Sequence, residues 1–368
     1  MALKKGRAAV NVLVGTRKGG FILRSDPRRR TWKMKGPFFE SCPVFHMAFD
    51  KRDGKTIYAA VNSGHFGPTV QTSRDMGKTW ENATTPPRFA EGSETKVENV
   101  WHVEPALADE PNVVYAGTAP AALFRSDDGG DNWKLNENLN NHPTRPKWQP
   151  GAGGLCLHSI VLDPSHKKRM YVGISAVGVF KSEDAGQTWD VKNRNVRADF
   201  NPETKYPEFG QCVHKLVMDP KKPNNLYQQN HCGVYRSEDA AENWVEISKG
   251  LPSGFGFPMA VHPHDSERFY VVPEQGDFFR VVANKEFAVY ETGNAGRSWK
   301  KRVKGLPNNN VYVGCYREGI ATDQLDPAGV YVGTRMGHLF HSWDEGKSWR
   351  LMAQWLPPIY SVSTATIL

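Results

Sequence analysis

Three histidines, His102, His158 and His214, and one glutamate, Glu318, each stand thirteen residues before a recurrent tyrosine: Tyr115, Tyr171, Tyr227 and Tyr331. If the chain repeats one structural unit around an axis, equal positions in successive units become neighbours in space. Three imidazoles and a carboxylate facing one point are a ligand set for a divalent transition metal (Zn, Mn, Fe or Ni), with positions left open for substrate or water. The competing reading is structural: a histidine inherited by duplication that hydrogen-bonds the backbone of the next unit. At the same position before Tyr58 and Tyr270 stand Phe45 and Phe257.

Other polar residues gather around these. Cys156 and Cys212 precede His158 and His214 by two residues and so share their strand face; a thiolate fits a Zn or Cu site, while a buried thiol is the commoner fate. Tyr316 shares a side with Glu318, and Arg317 lies opposite. Glu318 is a candidate ligand or general base and Tyr316 a candidate proton carrier; the alternative for Arg317 and Glu318 is an ion pair between units. Segments expected beside them add His65, His231, Glu274, Asp277, Arg335 and Lys18. Of these, His231 is the best acid–base candidate, and Arg335 can clamp a carboxylate or phosphate with its fork. Trp101 and Trp148 offer rings that either stack a sugar or cover a core.

The elements that must position these residues announce themselves in an octapeptide, S-x-D-x-G-x-x-W. It starts at Ser73, Ser126, Ser182 and Ser342, with Ala241 replacing Gly in the copy from Ser237. Worn copies start at Thr292 and Ser25. Asp accepting backbone hydrogen bonds and Gly at positive φ make a tight corner between two strands. An apolar run with the recurrent Tyr precedes most corners and a short aromatic strand leads into them. That gives four short strands per repeat, the composition of a propeller blade. Seven repeats predict an all-β, seven-bladed β-propeller occupying residues 1–368 as one domain, its ring closed by the strand-like Ile359-Tyr360-Ser361-Val362.

These octapeptides resemble the Asp-box, or bacterial neuraminidase repeat, of a propeller superfamily. It includes sialidases, sortilin-type receptors, oligoxyloglucan hydrolases and the photosystem II assembly factor. The resemblance covers nearly the whole chain and implies the fold; because the box lies on a blade corner, it says little about activity. The Phe-Arg-Ile-Pro motif of sialidases is absent, which points away from sialidase activity.

In such a ring the loops entering the innermost strands and those joining second to third strands share one mouth. The long entering segments 81–100, 134–157 and 190–213 place the candidate site there. His262-Pro263-His264 aligns instead with the turns at Asp163-Pro164 and Asp219-Pro220, at the opposite mouth. The net charge of +8 is scattered over several blades, which argues against a nucleic-acid stripe. Five cysteines without framework spacing suit a reducing, cytoplasmic setting. Residues 1–7 read as carrying no export signal, and no stretch is apolar enough to span a membrane.

The expectation from sequence is therefore a metal-assisted hydrolase or lyase acting on a small polar substrate, anionic or sugar-like. His102, His158, His214 and Glu318 would hold the metal. Glu318, Tyr316 and His231 would move protons, and Arg335, Arg317, His65 and Trp101 would contact substrate. Two alternatives stand beside it. One is a non-catalytic protein-binding or assembly propeller. The other is a glycosidase with paired carboxylates, for which Glu318 with Glu274 or Asp277 is the available pair.

Overall fold

The computed structural model describes residues 8–65 and 67–367, and the reading of residues 1–7 lies outside them. Seven antiparallel four-stranded sheets are arranged in a closed ring. The innermost strands are Val44–Phe49, Asn99–Pro105, Leu157–Leu162, Val213–Met218, Gly256–Val261, Ile320–Thr322 and Ile359–Ile367, each in contact with the next around the axis. The last of these pairs antiparallel with Ala9–Thr16, so the first blade takes its inner strand from the far end of the sequence, as the alternation in Ile359–Val362 predicts. Among the described residues no helix is long and apolar enough to cross a membrane.

No blade has a core of its own. The apolar side chains fall into seven clusters, and each joins the facing surfaces of two adjacent sheets. Leu13 and Ile22 of the first blade, for example, pack on Val44, Met47 and Ile57 of the second. Stacking is therefore what removes each sheet face from water. The recurrent tyrosines fasten the stack. Tyr171, Tyr227 and Tyr270 donate their hydroxyls to the carbonyls of Ala240, Ser266 and Glu345 in the following blade.

The octapeptide corners form as their residues require. Asp75 Oδ1 accepts the N–H groups of Lys78 and Thr79, both at 2.9 Å, while Ser73 Oγ accepts that of Gly77 at 2.8 Å. Gly77 has φ +79°, and a Cβ there would stand 2.5 Å from Ile22 Cδ1. The copy that lacks Gly adopts the same turn regardless, with Ala241 at φ +70°. In the worn first copy Ser25 has another partner, accepting from Val10 N–H. These corners sit at the mouth opposite the long loops, so they shape the ring and leave the loop-bearing mouth to other residues.

Candidate functional site

Near the loop-bearing mouth most inner strands break register by one or two residues. The skipped residues are Phe45, Trp101, His158 and His214 in four blades, Phe257 with Pro258 in another, and Tyr360 in the strand that closes the ring. A β-bulge re-aims the side chain it carries and commonly borders a site. Six blades thus set a ring-bearing side chain at one height around the axis. Several touch: Tyr360 stacks on Phe45 at 4.9 Å and 6°, Phe45 meets Trp101 at 4.8 Å, and His214 stacks on Phe257 at 4.3 Å. Tyr316 extends the series, 5.1 Å from Tyr360. Trp101, Phe45, Tyr360 and Tyr316 are only half-buried and form an accessible arc, whereas His158, His214 and Phe257 are enclosed.

The expected quartet of His102, His158, His214 and Glu318 does not converge. His158 Nε2 bonds the carbonyl of Val213 in the next blade at 2.9 Å, and His214 Nδ1 bonds that of Gly256 at 2.6 Å. Both imidazoles bridge inner strands, as the structural reading of a duplicated histidine has it. His102 belongs to another layer. Tyr115 pairs with Glu104, eleven positions earlier, whereas Tyr58, Tyr171 and Tyr227 pair with Ala48, Val161 and Val217, ten earlier. The hairpin of the third blade therefore carries one extra residue. A one-residue offset exchanges strand faces, so His102 lines up with His46, Ser159 and Lys215, while Trp101 is the counterpart of His158. Replacing His158 with Ala, which strands the Val213 carbonyl, is expected to lower the unfolding free energy by about 1–3 kcal/mol, read from denaturant midpoints; an unchanged midpoint would contradict the bridging role.

His102 and Glu318 do meet, inside the channel. Glu318 bonds Lys215 through Oε2 and faces His102 Nδ1 through Oε1 at 3.3 Å; His102 Nε2 lies 3.4 Å from Glu104, and His46 stacks on His102 at 4.3 Å. Burial alone would raise the Glu318 carboxyl, but Lys215 and His102 hold it well below the usual carboxylate range. Burial opposes a charge on His102, yet Glu318 and Glu104 raise it above its ordinary value. The neighbouring His46 stays neutral, lowered to about 3 by burial and by His102. This network caps a cavity of about 580 Å³ that runs to the mouth opposite the long loops, past Asp50, Pro164 and Pro220. As an ionised carboxylate bonded to Lys215 through one oxygen and ion-paired with His102 through the other, Glu318 is paired here rather than poised to accept a proton. Its bond goes to Lys215, a residue that belongs to no motif, in place of the expected pair with Arg317.

Arg317 extends instead toward the fourth blade. Its Nη2 donates to Ser175 Oγ at 3.2 Å, Nε is buried without a partner, and no carboxylate among the described residues pairs with it, although the residue is only 9% exposed. Its guanidinium lies 5.5 Å from the Phe257 ring, which Arg280 and Arg335 also approach. Arg335 spans two blades, bonding the carbonyls of Arg280 and Cys315 and the carboxylate of Glu274. Glu274 is fully enclosed and also accepts the Cys315 N–H; burial outweighs Arg335 and raises it to about 7. Asp277 is half-exposed, 3.6 Å from His231 Nε2. The His231 side chain gathers with Cys212 and His214 so that one ligand atom from each lies within 4.8 Å of the others.

The remaining candidates separate. His65 is exposed in the turn after Ile57–Ser63, its N–H bonded to Ser63 Oγ, and Lys18 is exposed in the turn after Ala9–Thr16. Trp148 packs on Phe180 and is core, as its second reading had it; Cys156 is fully buried. His262 follows the end of the strand Gly256–Val261, at the opposite mouth. Beyond the arc, Phe278, Tyr312 and Trp355 stand exposed on the loops of the same mouth.

The sheets, their order and the ring closure define a seven-bladed β-propeller. No protein-family model matches the sequence. Among curated proteins the chain is similar to an oligoxyloglucan-reducing end-specific xyloglucanase of Emericella nidulans, 27% identical over 292 residues, covering 69% of this chain and 33% of that protein. A probable enzyme of the same name from Neosartorya fischeri is 26% identical over 340 residues, covering 82% and 38%. The chain thus spans about a third of the length of these relatives. Among solved structures, a GH74 enzyme of Niastella koreensis superposes with a TM-score of 0.65 at 19% identity, over 93% of this chain and 52% of that one. YCF48 from Cyanidioschyzon merolae superposes at 0.56 and 16% identity, over 84% of each chain. At these identities the structural likeness speaks for the fold alone.

Proposed function

We propose that the loop-bearing mouth binds a saccharide and that the protein cleaves a glycosidic bond there. The observation that carries this reading is the half-buried arc of Trp101, Phe45, Tyr360 and Tyr316, one ring from each of four blades. Flat rings at one height suit the apolar faces of sugar rings, and an amphipathic ring is well used where one face is packed and the other wet. The xyloglucanases among the relatives support glycoside cleavage over the metal-assisted hydrolase or lyase expected from the histidines. Arg317, buried and lacking a carboxylate, favours a sugar that brings an acidic group.

The carboxyl pair for such a reaction is Glu274 and Asp277, whose environments differ as an acid and a base require. Glu274, raised to about 7, holds a proton near neutral pH for the leaving oxygen, and Asp277, half-exposed, takes one from water. One observation favours a second reading, saccharide binding without cleavage: Glu274 has no exposed surface and is bonded by Arg335 and Cys315 N–H.

Xyloglucan oligosaccharides and a panel of chromogenic glycosides, with calorimetric binding and reducing-end assays, separate these readings. Tyr360→Ala or Trp101→Ala is expected to weaken binding about tenfold, the equivalent of about 1.4 kcal/mol of ring contact. Asp277→Asn is expected to abolish turnover and keep binding. Binding without turnover in the unaltered protein selects the second reading; neither binding nor turnover across the panel ends the saccharide reading.

A further inference from the structure

We propose that Cys212, His214 and His231 form a thiolate–bis-imidazole site for a divalent metal of the zinc type, at the loop-bearing mouth of the fifth blade. All three ligands come from that one blade. Cys212 and His214 lie on the inner strand and its approach, and His231 lies in the turn after Leu226–Asn230. The backbone fixes them together, because His231 N–H donates to the carbonyl of Cys212 at 2.9 Å. No movement of one blade against another is needed to assemble the set.

The geometry at each ligand is that of a metal site. His214 Nδ1 donates to the Gly256 carbonyl at 2.6 Å, which leaves the lone pair on Nε2. That nitrogen faces Cys212 Sγ at 3.5 Å. Two ligands of one tetrahedral zinc, with Zn–S near 2.3 Å and Zn–N near 2.0 Å, are themselves about 3.5 Å apart. The His231 ring stands at 73° to that of His214 with centroids 5.6 Å apart, and its nitrogen completes a triangle of donors within 4.8 Å. Asp277 Oδ2 stands 3.6 Å from His231 Nε2, at the edge of the site.

The donor types decide the metal. One thiolate and two imidazoles suit Zn²⁺, Co²⁺, Ni²⁺ or Cu²⁺ and not the oxygen-seeking Mg²⁺, Ca²⁺ or Mn²⁺. The thiolate also offsets part of the ion's charge, which matters beside the buried guanidinium of Arg317. This set replaces the quartet drawn from sequence: His214 stays, while His102 and His158 are engaged elsewhere.

The test uses the full chain, stripped with chelator and titrated with Zn²⁺ and with Co²⁺ in the absence of any saccharide, so its outcome is separate from that of the saccharide reading. One ion per chain is expected, with a thiolate-to-cobalt absorption band. His231→Ala, in a turn that spares the sheet, should weaken binding at least tenfold, and Cys212→Ser should remove the band; Cys42→Ser should do neither. A folded, unaltered protein that takes up no zinc at micromolar concentrations overturns the proposal. So does cobalt bound without the thiolate band, or full affinity in both ligand variants.

Discussion

Glu318→Gln is expected to lower the unfolding free energy by about 3–5 kcal/mol. The Glu318 and Lys215 side chains are each 12% exposed and that of His102 is 6% exposed. Removing the carboxylate charge leaves Lys215 without its counter-ion and removes the larger of the attractions that raise the His102 imidazole. A cation buried without a partner is costly, whereas exchanging the whole pair for apolar groups is often nearly neutral. The double variant Glu318→Gln with Lys215→Met should therefore recover much of the loss. Denaturant midpoints decide it, and a single variant within about 1 kcal/mol of the parent would show that the channel network contributes little.

Acidification from pH 7 to 5.5, with chelator present, is expected to destabilise the protein by about 3–4 kcal/mol per pH unit at the lower end. Burial holds His46 near 3 and His341 near 4, and burial with Arg317 holds His158 and His214 well below their ordinary value. Each folded-state value lies below the unfolded one, about 6.5. The unfolded chain then takes up protons that the native state refuses, and stability falls as the pH drops below that value. Glu274 works in the opposite sense. Its folded value, about 7, lies above the unfolded one, so its burial cost is fully present above pH 7 and is relieved as the pH falls. Four imidazoles against one carboxyl leave a net uptake of about three protons near pH 5.5. The Glu318 contribution survives this range, since it is lost only below the unfolded carboxylate value. A melting temperature that holds or rises between pH 7 and 5.5 would contradict the assignment of neutral buried histidines.

The octapeptide made the ring legible because it is a local device: Asp75, Gly77 and their counterparts satisfy their own turn whatever surrounds it. The site was less legible because it depends on strand register, which is not local. Counting back from the tyrosines assumed hairpins of equal length, and the extra residue between Glu104 and Tyr115 moved His102 out of its layer. The bulge that unites Phe45, Trp101, His158, His214, Phe257 and Tyr360 leaves no compositional mark beyond a ring-bearing residue early in each inner strand. Lys215 is illegible in the sequence because a lysine in an alternating strand reads as a solvent-facing residue, and only the ring brings Glu318 to it. The association of His231 with Cys212 and His214 follows from a hairpin, and nearness in one blade was the available signal.

The pairing of Ile359–Ile367 with Ala9–Thr16 has a temporal consequence. During synthesis, Ala9–Thr16 waits with one edge unsatisfied until Ile359–Ile367 has left the ribosome, while the intervening blades can already stack. Completion of the circle is then a single long-range event, slow by its loop-closure entropy. Before it, the exposed edge of Ala9–Thr16 invites association with other nascent chains.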